Sequence, residues 1–367
     1  MPAQPYLKRI IEDRAALTRE QARELMQTIF AGRFSDLELA ALLGAITARG
    51  EDAEELAGFV DAMRAAATPV PLNDSERAAL VDTCGTGGDA SGTFNISTAA
   101  ALVAAAAESS STRKTMVAKH GNRAVTSACG SADVLEALGV PVALPPDAAA
   151  VALRDHRFAF LHAPALHPAM KAVMPVRRAL GVRTVFNILG PLSNPAGAQA
   201  QVMGVYSAHL VPVVAEALRM LGARHAFVVH GYLDSTKTKG GADSGKGLDE
   251  ISISGPSQIA EVRNDTVTLT EITPEDLGLK SAPISSLRGG DAQGNAAILR
   301  AIFAGEKGPR RDVVLLNAAA VLVTAGAVPS SPGKLHEALR AAIAVAAQAI
   351  DSGSVSALLA DLIASRH

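Results

Sequence analysis

A glycine-rich turn stands directly after a short apolar run in the first third of the chain. It covers residues 82–89 and carries three glycines in four positions, Gly85, Gly87 and Gly88. Glycines let the backbone turn sharply and bring N–H groups against an anionic ligand. The turn lacks the lysine of a Walker loop and the glycine spacing of a dinucleotide fingerprint. Taken alone, it fits a plain tight turn as well as an anion site.

Polar residues at positions 93–98 stand at the start of a predicted Ala-rich helix over residues 97–107. A helix N-terminus carries free N–H donors and partial positive charge. Two interpretations stay open: Asn95 and Ser97 only cap the helix, or turn and helix end together hold a pyrophosphate while the Ser97 hydroxyl reaches a magnesium ion. Both parts fall within fourteen residues, which favours the second interpretation.

Two more polar groups could serve a phosphate-rich ligand. Residues 119–123 follow the next apolar run, where a strand would end, and ligands of open α/β sheets gather at that end. Lys119 and Arg123 would supply cations there, although such a group could also be a surface turn. Asp249 and Glu250 form an adjacent acidic pair. Mg²⁺ prefers such oxygen ligands, but isolated pairs of this kind are also common on surfaces.

A third segment could recognise a carboxylate. An arginine offers a carboxylate a bidentate fork that lysine cannot match, and Arg177 is such a candidate, although it could also be a solvated charge. A helix is predicted over residues 168–181. His167 and Arg177 are about three helical turns apart, so both reach one ligand only if the segment bends, for which Pro175 supplies a cause. Residues 186–195 predict a rigid loop. Cys84 has no activating neighbour and is interpreted as structural.

The elements that would position these residues fall into two groups. Residues 7–68 predict consecutive amphipathic helices, with capping boxes at Thr18 and Gln21 and at Ser35 and Glu38. Residues 69–74 predict a linker. Short apolar runs then alternate with helical stretches, which indicates an α/β domain with a largely parallel sheet. Strands are predicted over 78–84, 115–118, 157–161 and 226–229, and helices over 97–107, 132–138, 168–181 and 209–221. Residues 250–271 alternate and predict antiparallel strands or a hairpin, and helices return from about 291.

Composition narrows the class of protein. The chain has 367 residues, 49% of them hydrophobic and 19% charged, as in a soluble globular enzyme. A net charge of −2 argues against a nucleic-acid partner. With two cysteines and no signal-peptide pattern, we expect a reducing, cytoplasmic location. No apolar run has the length of a membrane span; residues 313–328 come nearest and predict a buried helix.

Together these motifs resemble the anthranilate phosphoribosyltransferases. The resemblance covers nearly the whole chain, and the order and approximate spacing of the motifs also match. The matching stretches are residues 85–89, 95–98, 119–123, 167–171, 175–178, 183–195 and 247–250. Such a set is highly specific, whereas no single member would be.

The resemblance implies a small N-terminal helical domain, residues 1–70, completed by helices around 168–200. Beside it would lie a larger α/β domain, residues 75–367, with a mainly parallel central sheet of the nucleoside phosphorylase and phosphoribosyltransferase type. It also implies a homodimer formed through the helical domain, with phosphoribosyl pyrophosphate (PRPP) in the cleft between domains. The implied reaction joins the anthranilate amine to the phosphoribosyl group, releasing pyrophosphate, as the second step of tryptophan biosynthesis from chorismate.

The resemblance also assigns site residues by position. PRPP would contact Gly85, Gly88, Asp89, Thr93, Asn95, Ile96, Ser97, Thr98, Lys119, His120, Gly121, Asn122, Arg123, Ala124, Val125, Thr126, Ser127 and Ser131. Anthranilate would contact Gly85, Asn122 and Arg177, with His120, His167 and Pro191 lining its entry path. Two magnesium ions would be held by Ser97, Asp249 and Glu250. No residue is assigned as an obligatory general base, because the aromatic amine is already a neutral nucleophile.

Two segments depart from the family pattern. Residues 108–114 look longer than the usual link, and residues 232–246 form a polar insertion, hypothesised to be a disordered flap. Two other functions are weighed. A pyrimidine nucleoside phosphorylase-like enzyme would cleave thymidine or uridine with phosphate, and the acidic pair and Arg177 speak against it. A non-catalytic nucleic-acid-binding relative would be retained on heparin, and the acidic net charge weighs against it.

Overall fold

The computed structural model describes residues 2–108, 115–124, 128–233 and 247–365. The predicted PRPP contacts Val125, Thr126 and Ser127 lie outside these ranges, as do residues 109–114 and 234–246 of the two family departures. The chain begins with helices, as the sequence predicts. They are α1 (Gln4–Leu7), a π-helical turn (Lys8–Glu12), α2 (Arg19–Phe30), α3 (Asp36–Arg49) and α4 (Ala53–Ala65).

Both predicted capping boxes are confirmed. At the start of α2 the Thr18 hydroxyl accepts from Gln21 N at 3.3 Å, and the Gln21 side chain accepts from Thr18 N at 3.1 Å. Ser35 and Glu38 exchange the corresponding bonds at α3. These bonds satisfy N–H groups that have no partner within the helix. They fix where the two helices begin.

A mixed sheet forms the centre of the larger part of the molecule. Its described strands are β1 (Leu80–Gly85), β2 (Met116–Gly121), β3 (Phe158–His162), β4 (Ala200–Gly204), β5 (His225–Tyr232), β6 (Gly247–Leu248), β7 (Ser257–Arg263) and β8 (Thr266–Ile272). Their order is β3-β2-β1-β4-β5-β7-β8, with β6 beside β5. The five strands β3, β2, β1, β4 and β5 pair in parallel. β6 and β7 each pair antiparallel with β5, and β8 pairs antiparallel with β7. The predicted fold class is confirmed.

Helices cover both faces of this sheet. α5 (Asp74–Ala79) directly precedes β1. The helical segments between the strands are α6 (Ile96–Ala106), α7 (Ser131–Leu138), α8 (Pro146–His156), α9 (Ala163–Leu166), a 3₁₀ turn (Pro168–Ala172), α10 (Met174–Leu180), α11 (Phe186–Leu192) and α12 (Leu210–Met220). After β8 come 3₁₀ turns at Glu275–Leu277 and Ile284–Leu287, then α13 (Ala292–Phe303), α14 (Pro309–Ala325), α15 (Leu335–Asp351) and α16 (Ser354–Ala364).

Apolar packing divides the molecule into two main layers of contact. One buried cluster joins α6 and the C-terminal helices α13–α16 to one face of the sheet. A second cluster joins the N-terminal helices to α10, α11 and α12 and, through them, to the other face. The N-terminal helices therefore pack against segments from the middle of the chain.

Residues 186–195 are predicted as a loop, and this prediction is wrong because α11 occupies Phe186–Leu192. The Asn187 side chain accepts from Thr184 N at 3.1 Å and supports the first turn. Pro191 lies in the last turn of α11. Because proline has no backbone N–H, the helix loses one hydrogen bond near its end. The helix predicted over 168–181 is also two segments, a 3₁₀ turn and α10, with Pro175 in the first turn of α10.

Residues 251–254 begin the stretch that is predicted to form antiparallel strands or a hairpin, but they form no strand. Ile251 N donates to Asn317 Oδ1 at 3.0 Å, and Ile251 O accepts from Asn317 Nδ2 at 2.9 Å. A side-chain amide on α14 therefore takes both bonds that a neighbouring strand would make. The hairpin itself is confirmed, as β7 and β8. The acidic pair directly follows β6.

Within the described ranges, no single helix is long and apolar enough to cross a membrane. One pair of consecutive helices, Leu335–Asp351 and Ser354–Ala364, would together be long and apolar enough, but the two helices meet at an angle of 61°. Residues 313–328, the longest apolar stretch of the sequence, fall largely in α14, whose residues from Val313 to Ala325 are all buried. This confirms the predicted buried helix.

Candidate active site

The acidic pair lies where the strand order of the sheet reverses. β1 has β2 on one side and β4 on the other. The chain adds β2 and β3 on one side of β1, and then returns to add β4 and β5 on the other side. Ligands of open α/β sheets bind at such a point, beyond the carboxyl ends of the strands. β1 ends at Gly85 and β4 at Gly204, which are partners in the ladder. Asp249 lies against both glycines, and a Cβ on either would overlap it.

The acidic pair contacts the two segments that were predicted to bind an anion. Asp249 Oδ2 accepts from Gly87 N in the glycine turn at 2.7 Å. Glu250 Oε1 accepts from Ser97 N in the first turn of α6 at 3.0 Å. Residues separated by more than 150 positions therefore meet at one place. In this structure carboxylate oxygens occupy two N–H donors of the kind that bind phosphate.

The interpretation that Asn95 only caps α6 is wrong. Asn95 makes no side-chain capping bond. Its Nδ2 donates to Cys129 O at 3.2 Å, and its Oδ1 accepts from Asn295 at 2.9 Å. The N-terminal donors of α6 are therefore not closed off by a local side chain and face Glu250 instead.

Negative charge is concentrated at this junction. Burial, then the charges of Asp89 and Glu250, raises the pKa of Asp249 well above its usual value. Burial also raises the pKa of Glu250 to about 7, and Lys119 opposes that rise. Carboxyl groups that are hard to ionise together are stabilised as anions by a cation. The residues thus fit a divalent cation with oxygen ligands.

The same residues do not form a closed metal cage. Among the residues that the structure describes, no group of three His, Cys, Asp or Glu side chains is placed to hold a metal ion. Mg²⁺ commonly keeps several waters and takes one or two carboxylates together with substrate phosphates. Asp249, Glu250 and the Ser97 hydroxyl match that requirement, and Asp89 adds a fourth oxygen donor nearby.

Lys119 brings a positive charge beneath this site. It is 2% exposed, and its Nζ donates to Thr83 O at 2.6 Å and to Ser97 Oγ at 3.3 Å. Lys119 thus orients the hydroxyl predicted to reach the metal. A buried ammonium held this way lowers the local cost of added phosphate charge.

Other predicted PRPP contacts line the edges of the site. The Asp89 carboxylate accepts from Ser91 N at 3.1 Å, and Thr93 forms an isolated bridge to Arg288. Ile96 and Thr98 lie in the first turn of α6, with the Thr98 hydroxyl buried and lacking a partner among the described residues. Ser131, the first residue of α7, donates to Asn122 O at 3.2 Å.

Arg123 points to acids of its own region. It makes ion pairs with Asp133 at 3.2 Å and Glu136 at 2.7 Å, and its side chain is 47% exposed. Asp133 also accepts from Ala124 N at 2.8 Å. Gly121 packs closely against Phe160 and the Ser131 hydroxyl. In this structure the Arg123 charge is already neutralised, so a phosphate would have to compete with two carboxylates for it.

The predicted entry path contains a pair of buried histidines. The rings of His120 and His167 lie 5.0 Å apart, and His120 Nδ1 donates to Gly190 O at 3.1 Å, beside Pro191. Nε2 of each imidazole is buried and lacks a hydrogen-bond partner within the described part of the chain. Three of the predicted anthranilate contacts thus come together, with two polar atoms available to a ligand.

Both imidazoles are neutral at ordinary pH. Burial, then the charge of His167, lowers the pKa of His120 to about 3, and burial lowers the pKa of His167 to about 4. As the pH falls below about 6.5, the unfolded chain takes up protons that the folded protein does not. We therefore expect the free energy of unfolding to fall between pH 6.5 and 4 by on the order of 1 kcal/mol per pH unit for each histidine.

Urea denaturation at pH 6.5, 5.5 and 4.5 tests this expectation. His167→Gln should lose less stability over that range than the wild type, whereas His336→Gln, at a half-exposed histidine, should follow the wild type. Equal slopes for His167→Gln and the wild type would contradict the burial of a neutral imidazole at position 167.

Arg177 lies in α10 as a half-buried cation. Its guanidinium carbon is 5.4 Å from the centroid of the Phe186 ring. Burial lowers its pKa, and no carboxylate of the described residues contributes to the shift. Such a guanidinium keeps its donors for a planar anionic group. This supports the predicted contact with a carboxylate ligand.

Sequence reasoning missed residues that shape the glycine turn. Arg183 donates from Nη1 to Gly88 O at 2.8 Å, and its guanidinium lies 4.3 Å from the Tyr206 ring centroid. Tyr206 N in turn donates to the Thr86 hydroxyl at 3.0 Å. Arg183 stands within a stretch that matches the family, but nothing in its immediate neighbours links it to a turn 95 residues away.

A buried acid within β1 links this strand to its neighbours. Asp82 is fully buried, and it accepts from Asn194 Nδ2 at 2.8 Å and from His120 N at 3.1 Å. Burial raises its pKa to about 6. Burial also raises the pKa of the neighbouring Cys84 thiol, in agreement with the predicted structural role of that cysteine.

Comparison with known proteins gives the class first. The sequence profile described as "Glycosyl transferase family, helical bundle domain" matches residues 4–67. The profile described as "Glycosyl transferase family, a/b domain" matches residues 77–356. The helical bundle and the α/β domain together cover most of the chain, and they define a glycosyltransferase.

Individual relatives give the particular family. The anthranilate phosphoribosyltransferase of Solibacter usitatus is 47% identical, covering 99% of both chains, and that of Moorella thermoacetica is 47% identical, covering 95% of this chain and 94% of its own. Among solved structures, the enzyme from Thermus thermophilus superposes with a TM-score of 0.84 at 42% identity and 99% coverage of both chains. The enzyme from Saccharomyces cerevisiae in complex with PRPP and Mg gives 0.83 at 25% identity, covering 99% of this chain and 98% of its own. This chain belongs to the anthranilate phosphoribosyltransferase family.

Proposed function

We propose that the protein transfers the phosphoribosyl group of PRPP to the amine of anthranilate and releases pyrophosphate. The observation that supports this most is the meeting of the glycine turn, the start of α6 and the acidic pair, through the bonds of Asp249 to Gly87 and of Glu250 to Ser97. These are the parts that a metal-bound diphosphate needs. The family membership supports the choice of anthranilate as acceptor and the place of the reaction in tryptophan biosynthesis.

Charge stabilisation is the main requirement of this reaction. Breaking the bond between ribose and pyrophosphate builds positive charge on the sugar and negative charge on the leaving group. Donors already placed at the leaving group stabilise that charge without reorganisation. Gly87 N and Ser97 N, which now donate to Asp249 and Glu250, would serve this role if a cation held the two carboxylates. Lys119 holds the Ser97 hydroxyl and adds a fixed positive charge.

Magnesium would be held by Asp249, Glu250 and Ser97. When bound, it supplies Lewis-acid stabilisation of the phosphate oxygens. We propose two ions per site because the acidic pair offers two carboxylates. Asp249 is hydrogen-bonded to the glycine turn and Glu250 to the start of α6. The yeast relative in complex with PRPP and Mg supports the use of this metal.

Anthranilate would approach along the histidine pair and meet Arg177. The amine is neutral and already nucleophilic, so its positioning contributes more than proton removal. Arg177 would orient the carboxylate, while the neutral imidazoles of His120 and His167 and the backbone at Gly190 and Pro191 would line the path. No general base is assigned.

Anthranilate fluorescence tests the proposed reaction directly. Because the chain contains no tryptophan, the protein adds little competing emission. We expect the fluorescence to fall when PRPP and Mg²⁺ are added to enzyme and anthranilate, and to stay constant when EDTA is present. Constant fluorescence with all components, together with phosphorolysis of thymidine or uridine, would favour the nucleoside phosphorylase alternative. Retention on heparin at moderate salt would favour the nucleic-acid-binding one.

We further propose that the protein is a homodimer formed through its helical domain. Leu37 is 84% and Ile11 57% exposed. A cavity of about 430 Å³, lined in part by Leu7 and Ile11, opens beside them. Exposed apolar groups clustered in this way favour burial against a partner surface, and a second copy of the same face is the simplest partner.

A single charge tests the dimer. We expect the wild type to sediment at about twice its 37.6 kDa chain mass and Leu37→Asp to shift toward the monomer, because an aspartate cannot be buried without a partner. Leu269→Asp, at an equally apolar position 53% exposed on β8, should remain dimeric. A monomeric wild type, or a dimeric Leu37→Asp, would contradict the proposed interface.

Two broader assignments complete the proposal. Residues 1–70 and 75–367 are proposed as the two domains, and the packing of α10 and α11 on the N-terminal helices supports the idea that helices around 168–200 complete the first. A cytoplasmic location is supported by Cys84 and Cys129, which are not joined in a disulfide, and is tested by cell fractionation.

A further inference from the structure

Asn317 lies far from the acidic pair in sequence but is bonded to the residue beside it. It is 2% exposed, in the middle of α14. Its amide accepts from Ile251 N at 3.0 Å and donates to Ile251 O at 2.9 Å, directly after Glu250. Nδ2 also donates to Val313 O in its own helix at 2.9 Å.

The Asn317 amide holds the backbone of Ile251 through paired hydrogen bonds. The two bonds to Ile251 reproduce the paired N–H and C=O bonds that one strand residue makes with another. A buried polar group left without such bonds is strongly disfavoured, so Asn317 and Ile251 hold each other in one relative position. Because Ile251 follows Glu250 without an intervening residue, this position also sets the path of the acidic pair.

The opposite side of the segment from Glu250 to Ser252 packs closely against β5. A Cβ on Gly231 of β5 would lie 2.6 Å from the Glu250 carbonyl oxygen and 2.7 Å from Ser252 Cβ. Ser252 N donates to the Ser257 hydroxyl at 2.9 Å. The segment from Glu250 to Ser252 is therefore held between α14 and β5.

We propose that Asn317 is a positioning residue for metal binding: it holds the backbone beside Glu250 so that Asp249 and Glu250 present their carboxylates to the cation. This inference rests on the proposed metal site. It extends that site to a helix that contributes no ligand. Substitution of groups that orient metal ligands typically lowers metal affinity by about 10–100-fold.

Asn317→Ser is the most informative variant. A serine hydroxyl can still donate to Val313 O, as Thr324 does to Ala320 O at 3.0 Å in the same helix, so α14 stays satisfied while the link to Ile251 is lost. Gly231→Ala disturbs the same segment from the opposite side and leaves α14 untouched. The matched control is Thr324→Val, which removes a fully buried hydroxyl that bonds only to its own helix.

Mn²⁺ binding, followed by electron paramagnetic resonance in the presence of pyrophosphate, gives a readout that does not depend on catalysis. We expect the Mn²⁺ dissociation constant to rise about tenfold in Asn317→Ser and in Gly231→Ala, and to stay within about twofold in Thr324→Val. The Mg²⁺ concentration for half-maximal rate should rise in parallel, while KM for anthranilate stays within about twofold.

The outcomes separate this inference from the proposed function. Wild-type Mn²⁺ affinity in either folded variant, Asn317→Ser or Gly231→Ala, would overturn the positioning role. Should Asn317→Ser fail to fold, the Gly231→Ala result decides on its own. The metal assignment itself predicts that the wild type binds Mn²⁺ and that Asp249→Asn with Glu250→Gln abolishes this binding. If the wild type does not bind Mn²⁺, or if the double variant binds it equally well, the metal assignment on which the inference rests is refuted.

Discussion

Replacing Asp249 with Asn and Glu250 with Gln should reduce the rate of phosphoribosyl transfer at millimolar Mg²⁺ by about a thousandfold or more. Both carboxylates lie at the junction of the glycine turn and α6, where burial and crowded negative charge raise the pKa of each. Removing them takes away the oxygen ligands of the cation. Several kcal/mol of transition-state stabilisation are then lost, and each 1.4 kcal/mol is about a factor of ten in rate.

A second adjacent acidic pair provides the matched control. Glu275 and Asp276 lie in a 3₁₀ turn after the antiparallel edge of the sheet and accept hydrogen bonds from their own neighbourhood, at Ser281 and Thr273. Glu275→Gln with Asp276→Asn changes the net charge equally and should leave the rate within about twofold. Full activity of the Asp249 and Glu250 double variant, measured by anthranilate fluorescence, would remove these residues from the metal site.

Arg177→Ala should weaken anthranilate binding by about 1.5–3 kcal/mol, the range for a hydrogen bond to a charged group. The corresponding rise in KM for anthranilate is roughly 10- to 150-fold, and KM for PRPP should change little. The reason is that the Arg177 guanidinium is partly buried over Phe186 without a carboxylate of its own among the described residues, so its donors are free to bind a ligand.

Two neighbouring variants sharpen this test. Arg178→Ala removes the same charge from the next, exposed residue of α10 and should leave KM for anthranilate unchanged. Arg177→Lys keeps the charge but not the planar fork, so we expect an intermediate loss. Steady-state kinetics with anthranilate varied at saturating PRPP would distinguish the three, and an unaltered KM in Arg177→Ala would refute the assigned role.

The sequence predicts best those elements that local chemistry determines. The capping boxes at Thr18 and Ser35 fix two helix starts with side chains three residues apart. The Ala-rich run gives α6 to within a residue at each end. The sequence also predicts the meeting of the glycine turn and α6, because both follow one strand end. Each of these features depends on neighbours along the chain.

Elements that depend on distant partners were harder to predict. β4 (Ala200–Gly204) escapes detection because Gln201 interrupts its apolar pattern; in the fold, its amide is buried and donates to Pro191 O at 2.7 Å. α11 resembles a loop because of Gly190 and Pro191. The alternation after Glu250 suggests a strand, yet Asn317 takes the place of the neighbouring strand. In this last case a side chain 66 positions away in sequence decides the local structure.

The site shows the same division. The resemblance to the family supplies the ligand-facing residues, and the structure gathers Gly85, Ser97, Lys119, Asp249 and Glu250 in one place. The residues that support them, Arg183 beneath the glycine turn and Asn317 beside the acidic pair, cannot be found from spacing, because each contacts its target through backbone atoms across the fold.

A crystal structure of the protein soaked with PRPP and Mn²⁺ tests the central claim most directly. We expect diphosphate oxygens within about 3 Å of Gly87 N and Ser97 N, with two anomalous manganese peaks beside Asp249, Glu250 and the Ser97 hydroxyl. A diphosphate bound elsewhere, with the glycine turn, the start of α6 and the acidic pair directed away from it, would contradict the transferase assignment.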